Sequence, residues 1–258
     1  MASRRVFIST ALSAGAYAAS RMGGLGADQG STVPRVIVCD VNETLLDLAA
    51  LEPQFTQVFG DSRVLQEWFN TLLLYSEVAT LAGPYAEFAT IAGAALDMTA
   101  SARRVTMSSA ARNRILQGML SLPAHPEVPA ALKAMRDAGL RLVTLTNSAP
   151  AAVQQQLANA GLATFFERSF SIDGVKRFKP APEPYRAVAE ALGVPIERLR
   201  LVAAHAWDVA GALRAGCAAA FVARPGKVLY PLGPQPDISG PDFRSVAQQI
   251  ITAETRGA

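Results

Sequence analysis

The chain is poor in cysteine, in charge and in long apolar runs. It has two cysteines, Cys39 and Cys217, too few for a disulfide framework. Cys39 sits within an apolar run and reads as buried filler. The pair could bridge in an oxidising compartment, but their separation in sequence does not bring them together. No uninterrupted apolar run reaches the ~18 residues of a membrane-spanning helix, so stable membrane insertion is not expected. Charged residues make up 17% of the chain against 50% hydrophobic, with a mean hydropathy of +0.21, a balance that excludes intrinsic disorder. The pI of 9.1 hints at nucleic acid. With Arg4, Arg5 and Arg21 in the acid-free first 27 residues set aside, however, 21 bases face 21 acids, and no basic face for nucleic acid remains.

What is present in 258 residues is one globular domain, or a core with a small insertion. Residues 1–32 read as a signal peptide and linker. Ser3-Arg4-Arg5-Val6-Phe7-Ile8 places two arginines before an Ala-rich apolar stretch, and Ala16-Tyr17-Ala18 supplies small residues for a peptidase. The paired arginines resemble a twin-arginine export signal, which implies a periplasmic location. Gly23, Gly24, Gly26 and Gly30 then form a flexible linker.

From Val33 onward strands alternate with helices. Val36–Cys39, Leu140–Thr146, Arg168–Ile172, Leu199–Ala204 and Ala219–Ala223 read as strands, and helices lie between the later ones. The expected fold is therefore α/β, a Rossmann-like parallel sheet core with right-handed crossovers. Between Asp40 and His125 no comparable strand appears. That stretch is too long for a loop, and Leu65, Trp68, Phe69, Leu72 and Leu73 have helical spacing. The expected division is a core from 33–48 and 126–258 with an inserted helical cap over 49–125.

In such a sheet, ligands bind beyond the carboxyl ends of the strands. The first strand ends in Asp40-Val41-Asn42-Glu43-Thr44 and the second in Thr146-Asn147-Ser148. The third leads to Lys176-Arg177-Phe178-Lys179-Pro180, and the fourth to His205-Ala206-Trp207-Asp208. A carboxylate, a hydroxyl, a lysine and a second carboxylate thus converge on one crevice. An Asp beside a Lys and backbone N–H groups is held ionised as a nucleophile.

This order of motifs resembles the haloacid dehalogenase superfamily over nearly all of residues 34–230. Leu45-Leu46-Asp47, Leu74-Tyr75-Ser76 and Ala206-Trp207-Asp208 resemble its type II, L-2-haloacid dehalogenase family. The resemblance implies that Asp40 displaces halide from a short 2-haloacid and that the aspartyl ester is then hydrolysed to a 2-hydroxy acid. Thr44 matches the hydroxyl bonded to that Asp, or else caps a following helix. Lys179 matches the charge-balancing lysine and Asp208 the late acid, while Lys176, the rival lysine, lacks a following Pro. Thr146 and Asn147 match the pair that receives substrate carboxylate and halide, with the backbone at Val41 and Asn42 beside them. Tyr185 matches a family tyrosine, or packs a helix. No cofactor or metal is implied, and a homodimer stays open.

Three positions depart from the pattern. Superfamily phosphatases carry an acid where Asn42 stands; an amide cannot protonate an alkoxide, whereas halide leaves without a proton. The family's cap arginine, its halide acceptor, aligns with Phe69, leaving Asn147, His205 or Asn70 to receive the halide. His205 replaces an Asn, either to orient the hydrolytic water or as a structural hydrogen-bonder. The competing readings are a Mg²⁺-dependent phosphatase and an exported, non-catalytic binding protein.

Overall fold

The computed structural model describes residues 35–255, so the export signal and linker read from residues 1–32 lie outside the described residues. Six parallel strands form one sheet in the order β3-β2-β1-β4-β5-β6. They are β1 (Val36–Cys39), β2 (Leu142–Thr146), β3 (Arg168–Ser171), β4 (Leu199–Ala203), β5 (Ala218–Val222) and β6 (Ile238–Gly240). The central strand β1 is Val-Ile-Val-Cys and buried at every position, as a strand covered on both faces must be. Val38 is in register with Val143 of β2 on one side and with Leu201 of β4 on the other. Strand order reverses at β1, so the crevice lies beyond the ends of β1 and β4.

β4 carries Arg200 in its buried interior. Its guanidinium is tolerated there because Nε donates to Glu254 at 2.9 Å and the terminal nitrogens to Asp237 at 2.5 and 2.9 Å. Glu254 lies on α9 (Phe243–Thr255), which packs with α5 (Val128–Asp137). Neither β6 nor α9 is evident from the sequence pattern. Cys39 and Cys217 are free, buried thiols, which settles the question of their pairing.

Four helices fill the stretch expected as a cap: α1 (Glu52–Phe59), α2 (Val64–Ala82), α3 (Phe88–Ala102) and α4 (Ser109–Gly118). α2 and α3 pack together, and the indole of Trp68 donates to the Ala92 carbonyl at 2.9 Å. The helices bury Phe55, Trp68, Phe69 and Leu72 on one continuous core with the sheet. A clasp joins the end of α2 to the loop before Lys179: Phe178 N donates to Thr80 Oγ1 at 2.9 Å, and Tyr85 OH to Asp173 Oδ1 at 2.5 Å. The remaining helices are α6 (Pro150–Asn159), α7 (Pro182–Leu192) and α8 (Ala206–Ala215). α6 and α7 begin at prolines, whose fixed φ suits a first helical turn. α8 comes close to the Lys179–Pro180 loop because residue 211 is glycine. A Cβ there would lie 2.5 Å from Pro180 Cβ and 2.8 Å from the Tyr185 hydroxyl.

Candidate active site

Asp40 is the first residue after β1, anchored by its N–H to the Val202 carbonyl at 3.0 Å. The residue is 5% exposed, and both carboxylate oxygens are engaged. Oδ1 accepts from Lys179 Nζ at 2.8 Å. Oδ2 accepts from Thr44 Oγ1 at 2.6 Å and lies 3.2 Å from His205 Nδ1. Thr44 in turn accepts the Ala204 N–H at 2.9 Å, tying the turn after β1 to the end of β4. Of the two roles open to Thr44, the structure gives it the bond to the Asp.

Lys179 is almost wholly buried and bridges two acids: beyond Asp40, Nζ donates to Asp208 Oδ2 at 2.5 Å and to the Leu145 carbonyl at 3.1 Å. The second oxygen of Asp208 accepts from Tyr185 OH at 2.6 Å. Burial alone would raise the Asp40 carboxyl, but the Lys179 ammonium and the His205 bond outweigh it and hold it well below the usual carboxylate range. Asp208 goes the other way: burial, reinforced by the charge of Asp40, raises it despite Lys179. Burial opposes the charge on Lys179, yet Asp208 and Asp40 together keep it firmly protonated. The two carboxyls therefore differ in kind, with Asp40 held ionised and Asp208 more basic.

The other residues singled out from sequence are placed as follows. Asn147 accepts the Lys179 N–H on Oδ1 at 3.1 Å, so its carbonyl shapes the lysine loop and its amide nitrogen remains. Thr146, buried at the end of β2, accepts the Ser148 N–H at 3.2 Å. Val41 is sealed, and its carbonyl closes the turn to Leu45 and Leu46. Asn42 is held by Gln156 Nε2 on Oδ1 at 2.9 Å and points Nδ2 at Ser148 Oγ at 3.4 Å. The hydroxyl of buried Tyr185 goes to Asp208 rather than into open space. Lys176 is not the site lysine: it bonds Asp173 at 2.7 Å and lies over the Tyr85 ring.

On the cap side, Phe69 of α2 faces inward with its ring 6.4 Å from that of His205. Asn70 is corrected as a halide acceptor. One residue further round the helix it is exposed and accepts from Gln66 at 2.9 Å. The rings of His205 and Trp207 stack 5.0 Å apart.

Sequence reasoning missed Glu43. It has φ +59°, rare for a residue with a Cβ, and its buried carboxylate lies 2.8 Å from both His205 Nε2 and Lys227 Nζ. His205 is buried, which would strip its proton, but its bonds to Asp40 and Glu43 win and push it up to about 9. Glu43 is held below its ordinary range by His205 and Lys227, against the effect of burial. The one signal available was an extra acid within the Asp40–Thr44 turn. Its partner Lys227 is 184 residues away. Beside the crevice, a cleft of about 700 Å³ is lined by Glu43, Lys227, His125 and Arg224 but not by Asp40. Among the described residues, no cluster of three or more His, Cys, Asp or Glu is arranged to hold a metal ion.

The order of these groups is also that of a known family. Residues 34–216 match the family described as hydrolase, haloacid dehalogenase-like hydrolase. The chain belongs to that family. Haloacetate dehalogenase H-2 of Moraxella sp. (strain B) is 30% identical over 218 residues, spanning 83% of this chain and 96% of its own. The (S)-2-haloacid dehalogenase of Pseudomonas sp. (strain YL) is 27% identical over 219 residues, 84% of this chain and 94% of that one. The L-2-haloacid dehalogenase of Xanthobacter autotrophicus, solved with chloropropionic acid covalently bound, superposes with a TM-score of 0.78 at 25% identity, covering 84% of this hydrolase and 98% of that chain.

Proposed function

We propose that this hydrolase removes halide from short 2-haloacids, giving 2-hydroxy acids through an ester on Asp40. The observation that carries this reading is the pairing of an ionised nucleophile with an amide neighbour. Asp40 is clamped by Lys179 and Thr44, while residue 42, where a phosphatase needs an acid for its alkoxide leaving group, is an Asn held by Gln156. Halide departs without a proton, so the amide at residue 42 is no obstacle to that chemistry. Lys179 and the neighbouring N–H groups favour an anionic substrate, and Phe69 of α2 and Trp207 of α8 set aromatic surface beside His205. The phosphatase reading lacks that support, because the amide of Asn42, held by Gln156, has no proton to give an alkoxide. A screen for halide release over 2-chloro, 2-bromo and 2-fluoro acids, with and without EDTA, tests the proposal. Release that EDTA leaves unchanged supports it. Efficient cleavage of p-nitrophenyl phosphate with no haloacid turned over would overturn it.

We further propose export to the periplasm by the twin-arginine route, on the strength of Arg4-Arg5 before an apolar stretch. Replacing both with Lys should retain the protein in the cytoplasm, since the receptor reads guanidinium groups rather than charge alone.

A further inference from the structure

A carboxylate oxygen presents two in-plane lone pairs. Asp40 Oδ2 faces two donors, Thr44 Oγ1 at 2.6 Å and His205 Nδ1 at 3.2 Å, whereas among the described residues Oδ1 receives only Lys179 Nζ at 2.8 Å. The two oxygens are thus inequivalent: Oδ1 keeps a free lone pair and Oδ2 has none. His205 is fixed from its far side by Glu43 and on its faces by Trp207 and Phe69. Building on the dehalogenase reading, we propose that Oδ1 is the attacking oxygen, that Thr44 and His205 form an oxyanion hole around Oδ2 for hydrolysis of the ester, and that Glu43 positions the His205 ring.

The electrons run as follows. A lone pair of Oδ1 bonds C2 of the substrate, and halide leaves with the carbon–halogen pair. Oδ2 becomes the carbonyl oxygen of the ester. Water adds to Cγ and gives a proton to Asp208, and the carbonyl pair moves onto Oδ2, where Thr44 and His205 meet the new charge. Collapse breaks the Cγ–Oδ1 bond. The departing alkoxide takes a proton from Lys179, seated on that oxygen, and Lys179 regains one from Asp208 across 2.5 Å. The second water proton leaves as Asp40 returns to its carboxylate. His205 is then a catalytic residue of the second step, and Glu43 acts through it.

Charge makes Glu43 decisive. The groups around His205 are Asp40 and Glu43 from the β1 turn, Lys179 before α7, Asp208 on α8, Lys227 after β5 and His125 at the Glu43 carbonyl. Among the described residues, only Asp40 and Glu43 bond the ring. Esterification removes the charge of Asp40, so Glu43 alone then keeps the imidazole protonated.

The test uses the full-length enzyme and a haloacid that it turns over. Halide and hydroxy acid are followed separately in rapid-quench runs, and the protein mass is measured. His205→Gln should release one equivalent of halide per site at near wild-type rate, then hydrolyse the ester roughly 10²–10³-fold more slowly, as for loss of one oxyanion donor, with the adduct accumulating on Asp40. Glu43→Gln keeps an acceptor but no charge, so the alkaline limb of ester hydrolysis should move to lower pH by about one unit or more. A merely structural histidine would slow both steps alike and leave that limb in place. Equal slowing without adduct, or an unmoved limb in Glu43→Gln, overturns the inference while the dehalogenase reading stands. Wild-type enzyme that releases no halide from any haloacid overturns that reading, and the inference with it. Should His205→Gln fail to fold, the Glu43→Gln profile decides.

Discussion

The two oxygens of Asp40 look onto regions built on different plans. On the Oδ1 side, Lys179, Asp208 and Tyr185 are sealed, and each is bonded to the next. On the Oδ2 side, His205 and Glu43 lead outward to Lys227 at the wall of a cleft. In the inner network every polar atom depends on another side chain, so removing one strands a charge in low dielectric. In the outer network the last member borders open space, where water can replace it. The inner side should therefore fail abruptly under substitution and the outer side by degrees.

Lys179→Met attacks the inner side hardest. It leaves Asp40 and Asp208 buried together without their cation, a change expected to cost about 3–5 kcal/mol in stability and to abolish turnover. Thermal melting and halide release check both. A variant that stayed within about 1 kcal/mol of wild type would show that the inner network is not a unit. Asp40→Asn is gentler on the fold, since the amide keeps the shape, but it removes the nucleophile. Turnover should vanish while the melting temperature moves little. More than a few per cent of residual halide release would exclude Asp40 as the attacking group.

The inner side was legible in the sequence because strand ends announce themselves: each of Asp40, Thr146 and Lys179 follows an apolar run or stands before a Pro-started helix. The registers of β1 with β2 and β4 then bring these ends together. The outer side was not legible. Glu43 joins His205 and Lys227 over separations of 162 and 184 residues, and no local pattern marks a pairing made by tertiary packing. β6 and α9 were missed for a related reason. A three-residue strand is too short to show a period, and Glu254 on α9 acquires its role only through buried Arg200.

Asn42→Asp sharpens the contrast at a position that borders the nucleophile. Gln156 can still donate to the new carboxylate, so the fold should hold. A second negative charge two residues from Asp40 should repel an anionic haloacid and lower kcat/KM by roughly tenfold. The same change restores the acid that alkoxide departure requires, and weak phosphatase activity dependent on added Mg²⁺ is expected. An unchanged kcat/KM would mean that the substrate carboxylate binds elsewhere.

Lys227→Met probes the outermost link, where the smallest effect is expected. The Glu43 carboxyl is held below its ordinary range, so its contribution to stability is present above that range and lost as pH falls through the folded value. Removing Lys227 takes away one of two cations and brings that loss to higher pH. His205 remains, and the Lys227 side chain is 18% exposed, so water can reach the vacated place. The cost at pH 7 should be only about 0.5–1 kcal/mol, and it should shrink at acid pH, where Glu43 takes up its proton with or without Lys227 beside it. At the alkaline end the sign reverses. His205 is raised to about 9, so its contribution is full below its ordinary 6.5 and lost as pH rises through about 9. Lys227→Met should leave that alkaline loss largely in place, because Asp40 and Glu43, the two groups bonded to the ring, are both retained. Melting curves at pH 4.5, 7 and 9.5 separate the two limbs. A loss at pH 7 as large as that of Lys179→Met would mean that the outer chain is as closed as the inner one, and the difference between the two sides of Asp40 would disappear.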